Sequence, residues 1–496
     1  MPKRMIALLL SFLLSISGCS VRKVEKVPFA GVTLTERETV VGVTTIKGEE
    51  VSFDRPGGSI KNKVVSGLVK KNPYEIPVDQ VQRVWIERKE PSTSRTIGLV
   101  AVIAIGTVAI IAGIVAATKQ SCPFVYSWNG SEYVFDAEPY GGAITQGLEK
   151  DDFSELGSLQ EQDGLYKLKL TNEVDETQFT NMMELWVVDH PAGSRVVPDI
   201  LGKLHTVDAP SVPLSARDSE GRDLLPWLRA TDRVVWEPPS VPDSKGSLAG
   251  DIVMTFPKPT DAKRVKLIAN AGTGLWGSYM IKKMVELHGR ETGAFLKAID
   301  DDKSARDALF AWELREELYA LKIYVEEPTG WVVRGILPGT GPLISKDRIV
   351  ALDVSHVVGD QLKIRIHPPA GFWALNSFNV DYSADRPIKM ETVKASTAVD
   401  MKGKNVLPDL LSSDDHYVGM PDIGDTADLA FRAPARRAGM ERQVILHTRG
   451  FYKLHVPGTG DPDTKTLDAM NDVPGTAVKF AAEQFKQWHV AKQQAH

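Results

Sequence analysis

From residue 27 to residue 90 apolar and polar residues alternate in short runs. "VVGVTTIKGEEVSFD" reads as a hairpin turning at Lys47-Gly48, and "NKVVSGLV" and "YEIPVDQVQRVWIERK" as further strands. Four or five such strands predict a small N-terminal β-barrel, Sm-like in outline, over residues 19–96. The alternation then stops. Residues 97–117 carry no charge and comprise six Ala, three Gly, six Ile, four Val, one Leu and one Thr. A helix across a bilayer needs about 20 residues. The Ile, Val and Leu residues favour insertion by roughly 3 to 6 kcal/mol. The expectation is a transmembrane-like helix, with Ala109, Gly113 and Ala117 as a small-residue row against which another helix packs. A generic anchor explains the same row, and an oligomer through it is the alternative.

Period-two alternation resumes after the apolar segment. In "CPFVYSWNGSEYVFDAEPYGG" the dipeptide Asn129-Gly130 predicts a tight hairpin, because both of its positions need positive φ. Phe124, Tyr126 and Trp128 alternate before that turn, and Tyr133 and Phe135 after it. "GLYKLKLTNEV" and "TNMMELWVVDHP" continue the pattern, so 118–211 reads as a β-rich domain. Residues 251–385 open with the strand "VKLIANAG" and close with "QLKIRIHPPAGFWALNSFNVDYS". They predict a β-sandwich interrupted by a helical insert at 276–320, where Leu314, Leu318 and Leu321 recur at helical spacing near Trp312. The tail, 456–496, predicts a linker and an amphipathic helix with Val478, Ala481, Phe485 and Trp488 on one face.

One stretch occurs twice. "SARDSEGRDLLPWLRATD" (215–232) aligns without gaps to "TAVDMKGKNVLPDLLSSD" (397–414), with seven of 18 positions identical; chance gives about one at ordinary composition. A Gly-Asp and a strand follow each copy, as "GDIVMTF" and "GDTADLAF". Residues 212–276 and 393–455 are therefore expected to be repeat units 1 and 2.

Composition changes this picture little. Across 496 residues the hydrophobic fraction is 43%, the charged fraction 25% and the net charge −5, so there is no basic footprint for nucleic acid. The N-terminus changes it more. Lys3 and Arg4 precede an apolar run too short to span a bilayer, and "ISGC" follows. These residues resemble a bacterial lipobox, which implies a lipoprotein signal peptide over 1–18 and lipidation of Cys19. Cys122, the second of two cysteines, then has no partner within the chain. The implied localisation is the bacterial cell envelope, lipid-anchored, in the outer membrane or facing the periplasm, with the inner membrane as the alternative. The signal places residues 118–496 outside the cytoplasm. Arg83, Arg88, Lys89 and Arg95 before the apolar segment, against Lys119 after it, argue against a simple outward-to-inward span.

Two weaker resemblances concern the body. "CPFVYSWNG…YVFDAEPYGG", "DGLYKLKLTNEVDETQFTNMMELWVVDHP" and "GRDLLPWL", within 121–455, resemble the region that follows FG-GAP repeats in ASPIC/FG-GAP-type surface proteins. They also resemble a set of uncharacterised bacterial lipoproteins. No FG-GAP repeat is present, so the resemblance implies extracytoplasmic placement and no activity. The strand pattern of 361–383 resembles the closing strands of galactose-binding-like jelly rolls. The expected fold is thus mainly β: a small barrel, a membrane helix, jelly-roll-like sandwich modules, a helical insert and a C-terminal helix.

No nucleophile elbow, P-loop, GxGxxG or HExxH occurs. "DSEGRD" (218–223) has oxygen ligands around a glycine as a calcium loop does, but its repeat "DMKGKN" replaces Glu220 by Lys402, and a turn explains both. Glu313, Glu316 and Glu317 are spaced to share a helix face, as paired acid/base carboxylates do. Trp276, Trp331 and Trp373 are candidate ligand-binding rings, set against the ordinary role of core aromatics. The expectation is a non-enzymatic, membrane-anchored envelope lipoprotein without cofactor or metal, binding a protein partner or a glycan. The alternatives are a carbohydrate-binding module protein and a hydrolase with carboxylates from distant segments.

Overall fold

The computed structural model describes residues 21–28, 38–47, 49–61, 64–90, 123–232, 234–240, 242–244 and 246–494. The signal peptide, Cys19, the 97–117 segment with Ala109, Gly113 and Ala117, and Cys122 lie outside the described residues. Among the described residues no helix is long and apolar enough to cross a membrane. Among the described residues the fold is mainly β, with 45% strand and 18% helix.

Among its described residues the N-terminal body has seven strands: β1 (Val21–Pro28), β2 (Glu38–Thr45), β3 (Glu50–Ser52), β4 (Ser59–Lys61), β5 (Val64–Val69), β6 (Asn72–Pro77) and β7 (Val81–Glu90). They form two sheets, β1-β7-β2-β3 and β4-β5-β6. Successive side chains of a strand point to opposite faces, so Val84 and Ile86 of β7 face inward together. Val40, Val43, Phe53, Val65 and Ile76 complete the core. Gly67 is required there, because a Cβ would come within 2.6 Å of the Phe53 ring.

The larger body begins with β8 (Phe124–Trp128), β9 (Tyr133–Ala137), β10 (Lys150–Glu155), β11 (Leu165–Thr171) and β12 (Glu176–Pro191). A small hairpin follows, β13 (Arg195–Pro198) and β14 (Leu204–Val207). Next come β15 (Ser215–Asp218), α1 (Leu225–Leu228), β16 (Ile252–Pro257), β17 (Arg264–Thr273) and three helices, α2 (Leu275–Glu286), α3 (Thr292–Asp301) and α4 (Lys303–Glu316). The chain continues through β18 (Ala320–Glu327), β19 (Gly330–Pro338), β20 (Lys346–Asp353), β21 (Gln361–Ile366) and β22 (Trp373–Asp381). It ends with β23 (Lys389–Asp400), β24 (Val418–Met420), β25 (Thr426–Arg432), β26 (Met440–Leu454), α5 (Thr464–Asp472) and α6 (Thr476–Gln494).

Strands β15 to β22 make a sandwich. One sheet runs β15-β16-β21-β18-β19 and the other β20-β17-β22. Met254 and Ile364 of the first share a core with Leu267, Val350 and Phe378 of the second. Helices α2–α4 lie between β17 and β18. The C-terminal helix docks on the body, with Val478 and Ala481 buried in this same core.

The remaining strands form a nearly closed barrel-like sheet in the order β9-β8-β11-β25-β23-β12-β26-β10, with β24 paired to β12. Its neighbour relations repeat those of the sandwich. Reading β23, β25, β11, β8, β9 for β15, β16, β21, β18, β19, and β10, β26, β12 for β20, β17, β22, keeps every pairing. One added ladder, β12 with β23, curls the two sheets into one. Register agrees as well. Ala216 faces Met254, which faces Ile364; Ala398 faces Leu429, which faces Leu168. The hairpins β8–β9 and β18–β19 are bulged at the same step, Val125/Tyr126 and Ile323/Tyr324.

Chain order differs between the two copies. The sandwich is continuous, whereas in the barrel the counterparts of its last five strands precede the sandwich and those of its first three follow it. The barrel is a circular permutation of the sandwich. The strands expected as separate domains at 118–211 and 393–455 therefore lie in one sheet. Adjacency along the chain suggested two domains; pairing across the inserted sandwich overrides it.

Candidate functional site

Two of the three candidate tryptophans are core residues, and the third is covered. Trp373 has no exposed surface, and its Nε1–H donates to the Glu317 carbonyl at 2.9 Å. Trp276 is 6% exposed, packs edge-on against Phe485 of α6 and donates to the Ala481 carbonyl at 3.1 Å. Trp331 is half-buried on β19 beneath the Arg365 guanidinium, which sits 4.8 Å from its ring centroid and 4.6 Å from that of Tyr324. For Trp276 and Trp373 the ligand-binding expectation gives way to a core role. Large rings contribute most when buried, and the C-terminal helix supplies the cover over Trp276.

The calcium-like loop is a turn. Asp218 Oδ1 accepts the amides of Glu220 (3.0 Å) and Arg222 (2.9 Å), and Oδ2 accepts from Arg222 Nε at 2.6 Å. Its oxygens are committed to the chain. Among the described residues no group of three or more His, Cys, Asp or Glu could hold a metal ion. Helix α4 ends before the expected carboxylate face is complete. Glu316 accepts the Gly475 amide at 2.8 Å, while Glu317, at φ 57°, accepts the Lys322 amide at 2.9 Å. Burial pushes Glu313 up to about 7, against the opposing charge of Lys150.

The same turn does border a cleft of about 380 Å³. Trp236, Pro238, Pro239, Pro242 and Leu248 supply apolar wall, and Asp218, Glu220, Arg222, Asp243, Ser244 and Ser247 the polar rim. Glu220 Oε1 accepts from the amide (3.0 Å) and hydroxyl (2.8 Å) of Ser244, tying the loop to the turn. Those bonds hold the Glu220 carboxyl below its usual range. Trp236 exchanges backbone hydrogen bonds with Leu375 at 2.7 and 2.9 Å, so the indole is mounted on the sandwich. A ring beside rigid prolines and fixed polar groups suits binding. Sequence reading missed Trp236, although "WEPPSVPDSKG" marks a stiff loop directly after an aromatic residue.

Burial pushes the Glu237 carboxyl, beside Trp236, up to about 7; other strongly shifted groups lie away from the cleft. Burial alone would raise Asp152, but the charges of Lys346, 2.5 Å away, and Arg348 hold it at about 2. His447 bonds Glu184 at 2.9 Å and Asp151 at 3.0 Å. Burial works against its charge, yet these two carboxylates raise it to about 9. Its ring stacks on Phe153 with centroids 4.7 Å apart. Glu176, buried near Glu138, is pushed up to about 8 by burial first and by the like charge second, against a bond from Gln178. The chain matches no protein-family model and no curated protein.

Proposed function

We propose that this protein is a membrane-anchored bacterial envelope lipoprotein that binds or scaffolds a partner through its β modules and performs no catalysis. The observation that carries the binding reading is one eight-stranded unit built twice in a single chain. Asp152 and His447 are engaged in structural pairs, and a cleft on the sandwich is walled by proline and tryptophan. The "ISGC" pattern at Cys19 supports the anchor and the envelope location. Metabolic labelling with a fatty-acid analogue tests it: label is expected on the wild type and absent from Cys19→Ala. Label retained by the variant contradicts lipidation. An impermeant maleimide applied after outer-membrane permeabilisation is expected to reach Cys122, or Ser244→Cys in a Cys122→Ala background. Labelling only after inner-membrane lysis contradicts the envelope location.

A carbohydrate-binding reading has its own support. The five-plus-three strand order resembles a galactose-binding-like jelly roll, and the cleft lies in the loop between the first two strands of the sandwich. A glycan array compares wild type with Trp236→Ala: signal lost in the variant supports this reading, and signal unchanged contradicts it.

A further inference from the structure

We propose that the outer face of β8, β9 and β11 is a second binding platform, for a glycan chain carrying carboxylates. The inference rests on the reading of the protein as an envelope-facing binding module. The face displays Trp128, Tyr133 and Phe135 beside Lys167 and Lys169, all partly exposed. Trp128 and Tyr133 meet edge-on with centroids 5.2 Å apart, and Trp128 Nε1–H donates to Gln162 at 2.8 Å, which fixes the indole. Lys167 and Lys169 lie 5.8 and 5.3 Å from the centroids of Trp128 and Tyr133; Lys169 is paired with Asp428 at 2.6 Å, which leaves Lys167 as the cation for a ligand.

The sandwich shows what the fold itself requires at these positions. Pairing register makes Trp128 equivalent to Glu326, Tyr133 to Trp331, Phe135 to Val333, Lys167 to Lys363 and Lys169 to Arg365. In the sandwich Lys363 is paired with Glu326 at 2.8 Å, and Arg365 covers Trp331. In the barrel a ring replaces the glutamate, so Lys167 has no carboxylate partner among the described residues. A longer ring also replaces valine, and Lys169, paired with Asp428, stands where Arg365 covers Trp331. The same eight-stranded scaffold folds without rings at the positions of Trp128 and Phe135, so scaffold stability does not call for those two.

The chemistry fits a sugar chain. The C–H faces of pyranose rings lie against aromatic faces, and the Lys167 ammonium beside the rings makes charge-assisted bonds to uronate or similar carboxylates. Strands lie about 4.8 Å apart, so three strands span two to three sugar residues.

The sandwich also supplies a substitution that its own fold tolerates. Trp128→Glu with Phe135→Val installs the sandwich residues, and thermal unfolding checks that the chain still folds. Binding of a β-1,4-linked uronate hexamer is measured by calorimetry, with a β-1,4-linked N-acetylglucosamine hexamer as the neutral comparison. Expected are tighter binding of the uronate by the wild type, at least tenfold weaker binding by the folded double variant, and unchanged binding by Trp236→Ala. Lys167→Ala is a second variant, expected to erase the preference for uronate. Absence of uronate binding, or equal affinity in wild type and double variant, overturns the platform. Loss in Trp236→Ala alone assigns the sugar to the cleft instead. Failure of lipid labelling at Cys19 would leave this result unaffected.

Discussion

Asp218 and Asp400 hold the same turn in two different sheets. Each Oδ1 accepts the amides two and four residues ahead, at 3.0 and 2.9 Å for Asp218 and at 2.9 and 2.8 Å for Asp400. Each carbonyl accepts the amide of the turn glycine at 3.0 Å, and Gly221 and Gly403 share φ near +80°. Beyond the turn, Leu224 bonds back to Ala216 at 2.8 Å and Val406 to Ala398 at 3.0 Å. Asp218→Ala and Asp400→Ala should each cost about 1–2 kcal/mol, since each strands two amides of a tight turn. Denaturant unfolding checks this, and a loss confined to one variant would argue against equivalent roles.

Trp373 separates a core role from a ligand role. With the ring enclosed and its N–H bonded, Trp373→Ala should destabilise the chain by about 3–5 kcal/mol. Thermal unfolding would show the loss; a variant as stable as wild type would show that the ring does not serve the core.

The Lys346–Asp152 pair joins β20 of the sandwich to β10 of the barrel. Lys346→Met leaves a buried carboxylate without its partner, a change worth about 3–5 kcal/mol, whereas replacing both residues by apolar ones costs far less. The Asp152 carboxyl, held at about 2 in the fold, sits below its unfolded value. Its stabilisation is present at neutral pH and is lost as pH falls from about 4 to about 2. Stability measured over that range should decline less steeply in an Asp152→Asn, Lys346→Met double variant.

Glu176 runs in the opposite sense. The folded chain keeps its proton up to about 8 while the unfolded chain has released it, so stability falls as pH rises from about 4.5 to 8. Glu138, Asp175 and Lys282 are the charges that act on it. Glu176→Gln should flatten that part of the stability profile and make the chain more stable than wild type at pH 8. An unchanged profile would show that Glu176 is not the group responsible.

Local signals were legible in the sequence. Asn129-Gly130 marks the place of the β8–β9 hairpin, although only Gly130 takes positive φ and four residues connect the strands, and the repeat at 215–232 and 397–414 survives as identical turn bonding; the leucine spacing misled, because Leu314 lies on α4 but Leu318 follows its end and Leu321 sits on β18. The closure of the barrel was not legible, because β11 pairs with β25 across the whole sandwich and no short-range pattern encodes that register. The site was misjudged for a related reason. Residue type singled out Trp276, Trp331 and Trp373, but exposure depends on what folds back over each ring: α6 over Trp276, Arg365 over Trp331, and both sheets around Trp373. Trp128 and Trp236, whose rings line a surface and a cleft, differ from these only in tertiary context.

The central claim is that strands from either side of the sandwich assemble into one permuted copy of it. Thr177 of β12 lies opposite Lys453 of β26. Directly opposed antiparallel residues have Cα atoms about 4.5–5.5 Å apart, within reach of a disulfide. Thr177→Cys with Lys453→Cys, in a chain lacking Cys19 and Cys122, should oxidise under native conditions and raise the unfolding temperature. Thr177→Cys with Arg449→Cys, four residues out of register, should remain reduced. A Thr177–Lys453 pair that stays reduced in the folded chain would contradict the permuted barrel.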